Sequence, residues 1–175
     1  MRLGSLAPLV ELEELHLFGN NLEALPTLAA PRLRDFKMHK NRVEKADDEY
    51  FKATPALEYL SLWGNSLTSL PGSLSGLDKL KQLQIHENKL TSLLPPGAKW
   101  PASLEVIFLG NNPELVTLPP ELTQLTSLQR FNCEKLPLDA DGKQAAEGVR
   151  QICLKKKDGF FWGVDGRKQE AERKV

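Results

Sequence analysis

Three histidines (His16, His39 and His86) and two cysteines (Cys133 and Cys153) are the side chains of this 175-residue chain best suited to chemistry. Histidine can act as general base, metal ligand or pH-dependent contact, and cysteine as nucleophile or soft ligand. Their settings speak against most of these roles. Both cysteines fall in apolar patterns that read as buried, so no Ser-His-Asp or Cys-His set comes together. The stretch "LDADGK" (138–143) touches a calcium-loop pattern, but the acidic spacing fails after Asp141 and no glutamate closes it; Asp139 or Asp141 reads instead as a helix N-cap. No glycine-rich phosphate loop is present. The expectation is a protein that is not an enzyme, with no cofactor and no small-molecule substrate.

Bulk properties narrow the field further. Lysine plus arginine and aspartate plus glutamate both number 23, so net charge favours neither nucleic acid nor an anionic membrane. Residues 155–175 hold seven basic and four acidic residues, giving a mildly basic tail on a mildly acidic body. No apolar run is long enough to span a bilayer. Two cysteines are too few for a disulfide scaffold, no N-glycosylation acceptor occurs, and "MRLGSLAPLV" lacks a signal-peptide cleavage site. Together these predict a cytoplasmic protein.

The elements that position the histidines are repeats. Five segments superpose on their first leucine: "LEELHLFGNNL" from Leu12, "LRDFKMHKNRV" from Leu33, "LEYLSLWGNSL" from Leu57, "LKQLQIHENKL" from Leu80 and "LEVIFLGNNPEL" from Leu104. A sixth, "LQRFNCEKLPL" from Leu128, loses the asparagine. The starts lie 21, 24, 23, 24 and 24 residues apart. Pairs such as Leu15/Leu17, Phe36/Met38, Leu60/Leu62 and Phe131/Cys133 alternate with polar residues, the period-2 sign of a half-buried strand. The pattern LxxLxLxxNxL resembles the leucine-rich repeat family. The return segments "LTSLPGSLSGLDK" (67–79) and "LVTLPPELTQLTS" (115–127) resemble its intracellular 23-residue class, the Ras-suppressor-like and plant Ras-group proteins.

The resemblance implies an α/β fold: a leucine-rich repeat solenoid with a curved parallel sheet on the concave face and an irregular, short-helical convex side. About five full repeats, a degenerate last one and a C-terminal cap helix make it up. Asn20, Asn41, Asn65, Asn88 and Asn112 would form a ladder satisfying buried turn groups. The predicted organisation is residues 1–138 as repeats, the first partial, 139–157 as cap helix and 158–175 as a basic, aromatic, partly disordered tail. Two readings stand for the first residues: a truncated cap, or the end of a preceding repeat in a longer protein. Phe51 or Tyr50 and Trp100 are expected as core plugs. On the cap helix, Ala145, Val149, Ile152 and Cys153 share one face, which would set Cys153 toward Cys133.

In such a fold the third, fifth, seventh and eighth places of each repeat face outward on the concave side. The third-place column runs Glu14, Asp35, Tyr59, Gln82, Val106, Arg130, and the fifth His16, Lys37, Ser61, Gln84, Phe108, Asn132. The seventh runs Phe18, His39, Trp63, His86, Gly110, Glu134. Four successive rings on a surface meant for water suggest a contact stripe centred on Trp63; the other reading, compatible with it, is a ladder of rings stacked to stabilise the sheet. His39 and His86 stand two rungs apart with Trp63 between, so no metal set forms. The expected contacts are Trp63, Phe18, His39, His86, Tyr59, Phe108, His16, Lys37 and Arg130. In the tail, Phe160, Phe161 and Trp162 either fold back over the cap helix or anchor a partner as an exposed segment.

The function implied is a non-enzymatic module binding a protein partner, with neither nucleic acid nor a membrane span involved. Rival readings are a regulatory or sensor domain of a larger kinase- or receptor-type protein, an extracellular recognition protein, and a structural subunit of a large assembly.

Overall fold

A computed structural model describes residues 9–171. The reading of the first residues as cap or repeat end lies outside the described residues.

Each repeat contributes one three-residue strand. β1 (Glu14–His16), β2 (Asp35–Lys37), β3 (Tyr59–Ser61), β4 (Gln82–Gln84), β5 (Val106–Phe108) and β6 (Arg130–Asn132) lie in chain order, side by side and parallel. The register is in step throughout, so Leu15, Phe36, Leu60, Leu83, Ile107 and Phe131 stand opposite one another. The core follows from that register. Leu60, Leu62, Leu83, Ile85, Ile107 and Leu109 are fully buried beneath the sheet, with Leu67, Leu70, Leu74 and Leu77 closing from the convex side. Short 3-10 helices at Tyr50–Ala53, Gly72–Gly76 and Pro120–Gln124 carry the return. Phe51 fills the core, Tyr50 donates its hydroxyl to Pro26 O at 2.8 Å, and Trp100 is the plug of the proline-rich return.

The asparagines hold the turns. Asn65 donates through Nδ2 to Leu62 O (2.9 Å) in its own rung and Met38 O (3.1 Å) in the rung before, while its Oδ1 accepts from Val43 N (3.0 Å). Asn41, Asn88 and Asn112 repeat this three-way bond in their own rungs. Asn20, at the start of the ladder, is exposed and reaches only its own rung among the described residues. Just before each asparagine the backbone turns left-handed: Gly19 (φ 70°), Lys40 (55°), Gly64 (64°), Glu87 (55°) and Asn111 (58°), with Lys135 (57°) in the corresponding place of the sixth repeat. Glycine adopts this conformation freely, whereas lysine and glutamate are strained in it.

The C-terminal end departs from expectation. The cap helix α1 runs Ala140–Cys153 and so stops short of the expected end at 157; Asp139 Oδ1 accepts from Gly142 N at 2.7 Å, Ala145, Val149 and Cys153 are buried, and Ile152 is half-buried. The tail folds back beside that helix rather than forming an exposed linear anchor, but it does so as added strands of the sheet. Phe160–Trp162 is β7, parallel to β6 and in register with it, and Lys168–Glu170 is β8, antiparallel to β7. Phe161 is buried on Phe131, their rings 5.8 Å apart. The physical reason is the open edge of β6. Its apolar underside and unpaired backbone groups call for another strand, and "GFFWGV" supplies one. The Asp-Gly pair after it turns the chain back through Asp165–Gly166, and Arg150 Nε bonds Gln169 Oε1 across to the helix. Cys133 and Cys153 are free, and burial pushes both thiols up to about 12.

Two stability outcomes follow from these turns. Asn65→Ala strips a buried amide hydrogen and two carbonyls of their partner, and urea unfolding should show a loss of about 2 kcal/mol. Lys135→Gly relieves a left-handed strain and should raise stability by about 1 kcal/mol in the same assay. A Lys135→Gly variant less stable than the wild type would contradict that assignment.

Candidate concave-face interface

With the strands in register at one rung per roughly 4.8 Å, the seventh-place rings have no choice but to meet. Phe18 and His39 stack at 4.7 Å between centroids with planes 2° apart. His39 and Trp63 follow at 4.9 Å and 8°, and Trp63 and His86 at 5.0 Å and 11°. His39 and Trp63 therefore have a neighbour on each face and present only their edges, while Phe18, half exposed at 50%, is stacked on one face alone among the described residues. Trp63, His39 and His86 are half-buried rather than fully exposed.

The column breaks at Gly110. A Cβ there would come within 2.4 Å of Asn132 Oδ1 and 2.8 Å of Glu134 Cγ, so no ring can stand in that place. Phe108, in the fifth place of the same rung, takes over: it meets His86 edge-on at 6.4 Å and lies 6.2 Å from Phe160 of β7. The ladder thus runs from Phe18 across the face to Phe160. There Arg130 stands 5.6 Å and Lys168 4.9 Å from the Phe160 centroid. Trp162 meets Phe160 edge-on and donates its indole N–H to Gly166 O at 2.7 Å. Phe161 points into the core and is not part of the face.

His16, Lys37 and Tyr59 form a separate polar group beside the rings. Lys37 Nζ donates to Asp35 Oδ2 at 2.8 Å and lies 5.2 Å from the Tyr59 centroid. His16 Nε2 is 3.4 Å from Asp35 Oδ1 and 3.8 Å from Glu14 Oε2. The hydrogen bond from Lys37 to Asp35 raises the lysine's pKa, and burial raises that of Tyr59. Sequence reading missed two features: the lysine over the ladder, Lys40, with Nζ 4.9 Å from the Trp63 centroid, and the continuity through Phe160. The first had a signal in its neighbour, since Lys40 directly follows His39. The second had none, because rung seven opens on Asp158 where the repeat wants leucine. No cluster of three metal-ligating side chains exists among the described residues.

The two ladder histidines are held neutral. Desolvation lowers the pKa of His39, helped by Lys40 and Lys37, and its Nδ1 lies 3.1 Å from Ser61 Oγ. Desolvation also lowers His86, opposed in part by Glu87 and Glu134, and its buried Nδ1 has no hydrogen-bond partner. With both folded-state values depressed, the unfolded chain binds more protons as pH falls through about 6.5. The stability due to these neutral rings is present above that pH and is lost below it. Thermal unfolding should show a falling midpoint between pH 7.5 and 5.5, before most carboxylates titrate. His86→Phe, which keeps a ring in the ladder without a titrating group, should flatten that slope; an unchanged slope would reject the assignment.

Comparison with known proteins agrees with this architecture. Residues 31–90 match the family model described as leucine rich repeat. Podocan-like protein 1 of Mus musculus is 38% identical over 133 residues, 74% of this chain and 23% of that protein. Toll-like receptor 9 of Sus scrofa is 34% identical over 131 residues, 67% of this chain and 12% of the receptor. A solved leucine-rich repeat protein of Leptospira interrogans superposes with a TM-score of 0.72 at 31% identity, covering 85% of this chain and 37% of that one. The chain spans less than a quarter of the length of these two curated relatives. With six repeats in register, one family window across the middle and relatives matching well beyond it, the chain belongs to the leucine-rich repeat proteins.

Proposed function

We propose that this chain is a binding module that takes a protein partner on its concave face, with Trp63 at the centre of the contact. Leucine-rich repeat proteins in general mediate protein–protein interaction, and the relatives include receptors and matrix proteins. The observation that supports the concave face is the ring ladder from Phe18 to Phe160, a continuous half-buried aromatic surface on the side of the sheet away from the leucine core. Such rings supply contact area with little rotamer entropy to lose, and the register of the sheet already holds them in place. The reading as an intracellular 23-residue-class protein rests on the matching returns at 67–79 and 115–127, each with a 3-10 helix, and on two free, buried thiols. A second reading, the recognition segment of a longer receptor-type protein, draws on the likeness to toll-like receptor 9, of which the chain spans 12%.

The test is partner capture from native extract by wild type, by a Trp63→Ala, Phe108→Ala double variant and by Val116→Ala, whose side chain is exposed outside the concave face. The double variant should keep a cooperative thermal transition and lose the captured partners at least tenfold, whereas Val116→Ala should keep them. A folded double variant that retains every partner removes the concave face from consideration.

A further inference from the structure

Stacking changes what the ladder can offer a ligand. His39 and Trp63 are covered on both faces, so the surface they show is the ring edge, the positive side of the aromatic quadrupole. A partner that inserts flat rings has no face to stack on in mid-ladder; a partner rich in acceptor oxygens has a row of edges and donors to meet.

The polar groups along the ladder point the same way. The Lys40 ammonium and the Arg130 guanidinium touch only rings, Trp63 and Phe160 respectively, and neither has a carboxylate partner among the described residues. The Trp63 indole N–H likewise finds no acceptor among them. Three of the neighbouring acids are engaged, whereas Glu87 and, beside Arg130, Asp158 have no ion pair among the described residues. Asp35 accepts from Lys37 at 2.8 Å, Glu134 from Asn111 at 3.2 Å, and Glu170 from Lys168 at 2.6 Å. Glu87, exposed beside His86 on a rung between those of the two cations, makes the middle of the face repulsive to acids, so a partner's carboxylates are favoured only at the two ends. Lys40 and Arg130 are four rungs apart along the stack and five places apart along the strand, a diagonal of about 25 Å that an extended chain crosses in about eight residues.

Building on the proposed function, we propose that the partner presents an extended segment with acidic residues at its two ends. It lies diagonally over the ladder so that its carboxylates meet Lys40 and Arg130 while its backbone carbonyls face the ring edges. Because the chain carries equal numbers of basic and acidic residues, the preference is local rather than a long-range attraction.

The probes are three nine-residue peptides of alternating glycine with glutamate, glutamine or lysine, titrated into the isotope-labelled full chain. The reporter is the Trp63 indole N–H resonance, assigned by its loss in Trp63→Phe. The glutamate peptide should shift this resonance, and the glutamine and lysine peptides should not. Lys40→Ala and Arg130→Ala should each weaken the glutamate peptide at least fivefold, while Val116→Ala, exposed outside the concave face, should change it less than twofold. A glutamate peptide that causes no shift at millimolar concentration, an equal response to the glutamine peptide, or unchanged affinity in the folded Lys40→Ala, Arg130→Ala double variant overturns the inference. Partners lost by the Trp63→Ala, Phe108→Ala variant alongside any of those results leave the concave reading intact and remove only the acidic preference. Partners retained by that variant remove both.

Discussion

The asparagine amide is the interaction on which the rest of this structure depends. A chain that leaves a three-residue strand and turns under it carries peptide groups into an apolar interior, where each unpaired one costs about 1–3 kcal/mol. Asn41, Asn65, Asn88 and Asn112 each satisfy three such groups, two on carbonyls of successive rungs and one on an amide of the preceding rung. Because each amide spans two rungs, it fixes the register between neighbours as well as the turn within one. The left-handed residue just before it follows from the same geometry, which explains why glycine stands there in two repeats and why Lys40 and Glu87 accept a strained backbone in others.

Register in turn creates the ring ladder. A side chain in the seventh place has no freedom to avoid its counterpart about 4.8 Å away, so a ring in that place either stacks or leaves a void. Each stacked pair is worth about 0.5–1.5 kcal/mol beyond its area, and the same contact covers ring faces that would otherwise be available to a partner. The binding role proposed for the ladder is therefore coupled to its structural one rather than alternative to it. The mid-ladder rings contribute stability and show edges, while Phe18 is stacked on a single ring, His39, among the described residues.

The repeats were legible because three independent periods coincide: leucines at the strand, asparagine at the turn and a return of near-constant length. That sufficed for the strands, the core and the third-, fifth- and seventh-place columns. It did not reach rung seven, where Asp158, Phe161 and Gly163 stand in the three places that leucine marks elsewhere. A strand of three residues carries too little local pattern to be seen once its leucines are gone; what recruits "FFW" is the open edge of β6, a tertiary demand absent from the local sequence. Trp63 illustrates the same limit in the site. Its place on the concave face followed from the repeat, but its exposure depends on His39 and His86, residues 24 and 23 positions away, whose rings close over both its faces.

The C-terminal elements consequently do more than seal the core. Helix α1 buries Ala145, Val149 and Cys153 under the last repeat, and β7 places Phe161 on Phe131. The same strand turns Phe160 outward, where it meets Phe108 and carries the ladder past the gap that Gly110 leaves. Alternation along β7 makes the two roles inseparable, because a residue pointing into the core obliges its neighbours to point out. The antiparallel return of β8 then sets Lys168 beside Phe160 and opposite Trp162, adding a paired charge at the end of the concave surface. Closing the solenoid and completing the face are two consequences of a single strand addition.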